Sequence, residues 1–458
     1  MTRVHFVGIG GAGLSAIATL LLEKGVAVSG SDALASAMTD ALQKRGATVT
    51  IGHRAENVSG ADVVVVSSAV GTDNPEVAAA RAAGIPVKKR ADFLGEMMAG
   101  RVGVCVAGTH GKSTTTALIA FMLLGAGRDP SFIVGAVMAG LGANGRHGNG
   151  EQFVVEADEY DGMFLGLQPK VAVVTSVEHD HPDYYPTYAE YRNAFAQFID
   201  LVPGDGLVIV CRDDKGAKEI GEIAERKGKR VWWYGLKNSV EWKAENVQAN
   251  SLGGSDFVVT RNGATVGLAR SRLPGLHNVS NCVAAFAAVD ALGVDFNAAR
   301  VALAEFQGVG RRFEIKGEAN GVTVIDDYAH HPTEIRATLA AARRRYTDRP
   351  VWAMFQPHTY SRTRALLADF ATSFSDADHV LVTDIYRSRE AYDETISAKQ
   401  IVEQMRAQAQ HPDARYVPTL PEAVNTLIAE VKSGDVLITL GAGDGDTVGE
   451  QVLEELRK

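Results

Sequence analysis

Residues 108–114, GTHGKST, combine two glycines, a lysine and hydroxyls between an apolar run (RVGVCVAG, from 101) and a helical pattern. Glycines at such a turn let backbone N–H groups wrap phosphate oxygens. Lys112 would neutralise the β and γ phosphates, and Ser113 or Thr114 would ligate magnesium. The longer phosphate-loop spacing requires glycine at 106, where Val106 stands, so this is a shorter form. A second cradle precedes it. Gly8, Gly10 and Gly13 satisfy GxGxxG, Gly11 and Ser15 lie in the same turn and helix start, and Asp32 closes the next strand. That pattern fits a dinucleotide fingerprint, with phosphate at a helix N-terminus and the acid on ribose hydroxyls. Its ligand stays open: an NAD or flavin site, another nucleotide, or glycines used only for tight packing.

Acids and histidines follow in two clusters. VVEADEYDG carries Glu156, Asp158, Glu159 and Asp161; TSVEHDHPDYY carries Glu178, His179, Asp180, His181 and Asp183. Each cluster follows an apolar strand run. In a parallel sheet the carboxyl ends of strands gather on one side, so both would reach a single metal–triphosphate. The plainer alternative is solvated loop charge.

The elements that must position these residues alternate. In the first hundred residues RVHFVGIG, GLSAIATLLLEKG, VAVSGSD, a helix near MTDALQKRG, and ADVVVVSSAV read as strand, helix, strand, helix, strand. Leu14, Ile17, Ala18, Leu21 and Leu22 keep a helical period, which predicts a helix covering a doubly wound parallel sheet. A second unit runs from 101 through QFVVEADE, KVAVVTS and GLVIVC. The stretch 236–272, with DFVVT and ATVGLAR, reads as a small antiparallel insertion. After GVGRRFEIKG the rhythm restarts as VWAMFQP, HVLVTDIY, ARYVP and DVLITLGAGD, each followed by a helix. The expected fold is α/β in three domains: a Rossmann-like unit over 1–98, a P-loop ATPase-like unit over 99–314, and a Rossmann-like unit over 315–458.

Composition narrows the function. The chain has 458 residues and a formal net charge of -9, with no basic stripe, so nucleic acid is not an expected partner. Cys105, Cys211 and Cys282 are scattered without CxxC spacing, which argues against a zinc site and for a reducing compartment. No apolar run is long enough to span a membrane, and the start MTRVHFVGIGG is strand-like. The expectation is therefore a soluble cytoplasmic chain without a membrane partner.

Taken together, GTHGKST, VEADEYD, EHDH, LPGLHNVSN, GVGRRFE, DDYAHHPTE and FQPHTYSRTR resemble the Mur ligase family, and the resemblance covers all three domains. It implies an ATP-dependent, magnesium-requiring, amide-forming enzyme of peptidoglycan precursor synthesis. The first cradle would then hold the UDP of a sugar nucleotide and the second ATP. The HFVGIGGAGLS start, LQPKVAVVTSVEHDH and FQPHTYSRTR are most similar to members that join L-alanine to UDP-N-acetylmuramate, as a monomer or weak homodimer. Tyr160 after Glu159 is instead shared with the branch that adds a murein tripeptide.

By resemblance, Gly108, Thr109, His110, Gly111, Lys112, Ser113 and Thr114 take the ATP phosphates. His277 and Asn281 lie near the adenine, Arg312 near the phosphates and Asp327 near the ribose. Ser113, Glu156 and His181 hold magnesium. Lys112, Arg312, His330, His358 and Arg362 serve the reaction, the last three facing the muramyl carboxylate or the amino acid. Gly8, Gly10, Gly11, Gly13, Ser15, Asp32, His53, Ser67 and Arg90 form the UDP-sugar site. Thr359 stands where the family commonly has arginine. Phe195 stands where several later-acting members carry a carbamylated lysine.

Overall fold

The computed structural model describes residues 2–67, 70–71, 73–408 and 413–458. Three sheets order the chain. The first has five parallel strands, in the order Thr48–Ile51, Ala27–Asp32, Arg3–Val7, Val63–Val66, Val87–Lys89. Strand order reverses beside Arg3–Val7, and the GxGxxG turn leaves from that strand's carboxyl end, where doubly wound sheets bind ligands. Of the run ADVVVVSSAV, residues 68 and 69 lie outside the described residues.

The second sheet has ten strands. At its heart Val102–Ala107 lies between Gln152–Glu156 and Val171–Val174, all parallel. Both faces are covered, so these strands are continuous apolar runs rather than alternating ones. Val104, Cys105, Val106 and Ala107 are fully buried. Residues 236–272 are antiparallel, as their short alternating runs predict, but they do not stand apart. Trp242–Ala249 pairs in parallel with Val231–Gly235 through Tyr234 and Trp242, and so extends the central sheet. Burial of the Trp242 indole holds that junction. The third sheet runs Glu314–Ala319, Val322–Asp327, Val436–Leu440, Val351–Phe355, His379–Val382, Ala414–Tyr416, antiparallel only at its first pair.

One apolar core runs unbroken from the first sheet into the second, whereas the third sheet has separate cores on its two faces. The helix Arg90–Met98, which buries Phe93, Leu94 and Met98, is one join between the first two. It meets the turn Tyr160–Gly166 at two glycines. A Cβ on Gly95 would lie 2.1 Å from the Gly166 carbonyl oxygen, and one on Gly166 2.8 Å from the Ala91 carbonyl carbon. Backbone faces backbone there, so no side chain can swing aside. Gly95→Val is expected to cost ~1–3 kcal/mol and lower the thermal midpoint. Gly204→Ala, with nothing within 4 Å of the added carbon, is expected to stay within ~0.5 kcal/mol. Equal midpoints for the two variants in differential scanning calorimetry would refute this account of the join.

Candidate active site

The buried strand Val102–Ala107 delivers the chain to Gly108, and the helix Lys112–Gly125 starts at Gly111, whose φ of +79° favours glycine. A Cβ at Gly111 would also fall 2.6 Å from Asn281 Oδ1, so glycine lets the helix of Asn281 close on the loop. No side chain caps the helix, which leaves first-turn N–H groups for an anion. Lys112 Nζ donates to the carbonyls of Gly108 (2.5 Å) and Thr109 (3.2 Å) and to Glu159 Oε1 (3.0 Å). Tyr191 donates its hydroxyl to the same oxygen at 3.1 Å and lies 2.9 Å from Thr109 Oγ1. Burial works against the ammonium charge, but Glu159 and Asp158 outweigh it and hold the Lys112 pKa above the usual lysine value.

Ser113 Oγ donates to Glu156 Oε1 at 2.9 Å, and the Gly135 N–H donates to Oε2 at 2.6 Å. A hydroxyl and a carboxylate at a phosphate loop are the hard oxygen ligands that magnesium takes. His181 is placed differently: it lines the same cleft, but its Nε2 stands 3.8 Å from Glu159 Oε1 and 3.7 Å from Asp180 Oδ2. Among the described residues, the three side chains whose metal-ligating atoms lie within 4.8 Å of one another are instead His110, Glu178 and His331. Phe195 is fully buried against Tyr191 and Phe164, so that turn of the helix Tyr188–Asp200 faces core rather than cleft.

A cavity of about 250 Å³ opens beside the loop, lined by Gly111, Ser113, Thr114, His277, Asn281, Arg312 and Asp327, from the second and third units together. HNVSN does not cap its helix. Gly275 is the N-cap of Leu276–Ala291, so the motif lies inside the helix, and His277 and Asn281 share a face at i, i+4. Burial raises Asp327 to about 6 despite N–H donors from Phe313 (2.7 Å) and Ala329 (2.8 Å). Arg312 rests over the Tyr328 ring at 5.0 Å. Its neighbour Arg311 bonds Asp326, Gly441 and Gly443, anchoring the linker to the third sheet.

A larger cleft of about 590 Å³ joins all three units: Ala12 and Met38 from the first, Lys112 and Glu156 from the second, His330, His358 and Arg362 from the third. Arg362 is buried and gives Asp180 Oδ1 two contacts, Nε at 2.9 Å and Nη2 at 2.8 Å. Its Nη1 lies 2.9 Å from His358 Nδ1, and His330 Nδ1 lies 2.9 Å from the Tyr328 carbonyl. Burial lowers His330 to about 4 and, with His330 and Arg362 beside it, His358 to about 2.

His110 bridges units. Its Nε2 meets Glu178 Oε2 at 3.0 Å and its Nδ1 meets Glu334 Oε1 at 3.1 Å, while Thr333 donates to Glu178 Oε1 at 2.9 Å. Burial alone would lower its pKa; the bonds to the two acids outweigh it and raise it to about 9. Sequence reasoning missed Glu178 and Glu334 as partners. The only local signal for Glu334 is its capping-box position after His331-Pro332, where it also accepts the His330 and His331 N–H groups.

In the first cradle, Gly11 starts the helix Ala12–Glu23 without a side-chain cap. Asp32 Oδ2 accepts the Gly10 N–H at 2.8 Å, and Ser15 bonds the Ala12 carbonyl at 3.0 Å. Ser67 lies against Gly8: a Cβ there would stand 3.1 Å from the Ser67 Cβ. Arg90 lies against Gly13 and reaches Asp158 of the second unit at 2.9 Å. His53 is held by Ser31 at 3.0 Å and stands 3.6 Å from Glu76, a buried acid that the sequence did not single out. Burial opposes the Glu76 charge, yet bonds from His5, Ser31 and Asn57 bring its pKa down to about 2. A cavity of about 190 Å³, lined by Gly13 and Arg90 and by Glu156 and Asp158, joins this cradle to the carboxylates of the second unit.

Comparison with known proteins bears on all three units. Residues 3–102 match the profile of the Mur ligase family, catalytic domain, residues 106–289 the Mur ligase middle domain, and residues 311–443 the Mur ligase, glutamate ligase domain. The nicotinamide alternative for the first cradle is thereby overturned. The chain is 44% identical over 457 residues to the UDP-N-acetylmuramate–L-alanine ligase of Geobacter sulfurreducens, covering 100% of this chain and 98% of that one. It is 44% identical over 455 residues to the enzyme of the same name from Renibacterium salmoninarum, covering 99% and 96%. Among solved structures, the UDP-N-acetylmuramate-alanine ligase of Thermotoga maritima superposes with a TM-score of 0.84 at 30% identity, covering 99% of each chain. A murein peptide ligase from Psychrobacter arcticus gives 0.74 at 27%, covering 100% and 99%. With matched profiles along nearly its whole length and relatives 44% identical over that length, the chain belongs to the Mur ligase family.

Proposed function

We propose that this chain is an ATP- and magnesium-dependent ligase that joins L-alanine to the lactyl carboxylate of UDP-N-acetylmuramate, in peptidoglycan precursor synthesis. The observation that carries this reading is the single cleft shared by the first cradle's helix start, the phosphate loop and the histidines of the third unit. The names of the full-length relatives point to the same substrates. A specific observation also favours the murein-tripeptide branch as second reading, namely Tyr160 after Glu159 beside His181, with ring centroids 4.9 Å apart.

The γ-phosphoryl group of ATP passes to the lactyl carboxylate, breaking its bond to ADP. The amine of L-alanine then attacks the acyl carbon, the C–N bond forms, and phosphate leaves as the tetrahedral intermediate collapses. Little of this requires covalent help; it requires positioning and charge neutralisation. Lys112 and Arg312 face the transferring phosphoryl group. Ser113 and Glu156 would hold magnesium, which when bound spreads the charge of the triphosphate. His330, with Nδ1–H donating to the Tyr328 carbonyl, keeps Nε2 as an unprotonated acceptor for a proton of the attacking amine. His358 has the opposite polarity, since its Nδ1 accepts from Arg362 and its Nε2 carries the hydrogen. The bridge from His110 to Glu178 and Glu334 keeps the third unit closed over the phosphate loop.

Three outcomes test this. Phosphate release from ATP with UDP-N-acetylmuramate should be fastest with L-alanine, against D-glutamate, glycine, L-serine and the tripeptide. Release with the tripeptide and none with L-alanine would move the chain to the second reading. Lys112→Ala should lower kcat by ~100-fold or more while calorimetric affinity for the UDP-sugar is kept; near-wild-type turnover would remove Lys112 from the reaction. The third outcome concerns the bridge. Because the folded pKa of His110 is raised to about 9, its contribution is complete below the ordinary histidine value of ~6.5 and is lost as pH rises through about 9. Thermal midpoints measured from pH 6.5 to 9.5 should therefore fall in wild type. In Glu334→Gln that fall should begin at lower pH, and superimposable profiles would exclude a charged bridge.

A further inference from the structure

This inference rests on the ligase reading and deepens it. An amino acid that attacks an acyl phosphate presents a neutral amine but keeps an ionised α-carboxylate. The cleft is already crowded with carboxylates and must take in phosphates, so that carboxylate needs a dedicated cation. Most of the cleft's cations are committed. Lys112 is paired with Glu159, Arg362 is buried in two contacts with Asp180, and Arg312 also lines the nucleotide cavity. Thr359, on the same wall, brings no charge.

Arg389 differs from all of these. It lines the cleft with a side chain 50% exposed, its guanidinium lies 4.1 Å over the Tyr160 ring, and one nitrogen, Nη2, meets Asp183 at 3.1 Å. Among the described residues it makes no other side-chain hydrogen bond, so one edge of the fork is open. The segment that carries it is fixed on both sides. Tyr386 exchanges backbone bonds with Pro357 (2.8 Å) and Thr359 (2.9 Å) and stacks on His358. Glu390 accepts from the Tyr360 N–H at 2.5 Å and the Ser361 N–H at 3.2 Å. A guanidinium held over an aromatic face with a free edge is preorganised for a carboxylate. Its charge is also felt at His358, which it helps keep unprotonated.

We propose that Arg389 binds the α-carboxylate of the incoming amino acid, with Tyr160 supporting the guanidinium face and Asp183 holding its other edge. The residue would thus let the cleft tell an amino acid from a simple amine.

The test uses the full chain, with phosphate release measured against L-alanine and against L-alaninamide, which lacks the carboxylate charge; the amide is read as a substrate or as a competitive inhibitor. Arg389→Met should raise KM for L-alanine by ~10- to ~100-fold, the loss of one charge-assisted pair. KM for ATP and for UDP-N-acetylmuramate, and the constant for the amide, should stay within about twofold. Arg389→Lys should fall between wild type and Arg389→Met. An unchanged KM for L-alanine in Arg389→Met, or an equal rise for the amide, would overturn the assignment. A wild-type chain inert with L-alanine but active with another amine would instead sink the substrate reading, and this inference with it.

Discussion

The buried ion pair between Lys112 and Glu159 is the constraint around which the site is arranged. Lys112 is 14% exposed and Glu159 1%. Placing an ammonium there costs several kcal/mol of lost hydration, so it is sustained only by a nearby anion and good hydrogen bonds. Two loop carbonyls and Glu159 supply them, and Tyr191 in turn donates to Glu159. Tyr191 belongs to the helix Tyr188–Asp200, and its hydroxyl touches both the acid and Thr109 of the loop. The loop's shape is thereby tied to a helix some eighty residues on, and the cation is held in place, which in the proposed reaction would spare reorganisation at the moment of transfer.

The same logic extends across the units. Several acids take a cation or donor set from another part of the chain. Buried Asp180 takes Arg362 from the third unit, the partly exposed Glu178 takes His110 and Thr333, and buried Glu76 takes His5 and Ser31 within the first. Removing one partner of such a pair leaves an unpaired buried charge, which is far more costly than the pair is stabilising. These cross-unit pairs tie the third unit to the second through charge. The first unit is tied differently, because its apolar core is continuous with that of the second. Relative motion, where it occurs, falls on the polar and ionic boundary around His110 and Asp180 rather than on the apolar one.

What was legible in the sequence follows from this division. The phosphate loop, the GxGxxG turn and the strand–helix alternation are local patterns, and the structure builds each from the residues that displayed it. That Glu156 would reach Lys112 was also readable, since parallel strands send their carboxyl ends to one side, whereas Arg312, His330, His358 and Arg362 joined them in one cleft only through the family resemblance. Glu334, Tyr191 and Arg389 were not. Each acts through a partner more than eighty residues away, and nothing local separates a capping glutamate or a surface arginine from a site residue. The extension of the central sheet by 242–271 was hidden for a similar reason. Alternating runs announce antiparallel pairing but not what the outermost strand will join.

Thr359 shows how the third unit keeps its part of the site rigid. A β-branched residue at φ +67° is strained by ~1–3 kcal/mol, and such strain survives only where its surroundings over-determine it. Here they do. Its N–H is bonded to the Tyr386 carbonyl, its own carbonyl accepts the Thr363 hydroxyl at 2.7 Å, and the helix Tyr360–Ala365 that follows is capped by Glu390. The two loops that leave Val351–Phe355 and His379–Val382 are thus one hydrogen-bonded body carrying His358, Arg362 and Arg389 together. Because these groups cannot move singly, their distances to the phosphate loop depend on how the whole third unit sits. The contacts that set that seat, Arg362 with Asp180 and Glu334 with His110, are therefore structural and functional at once.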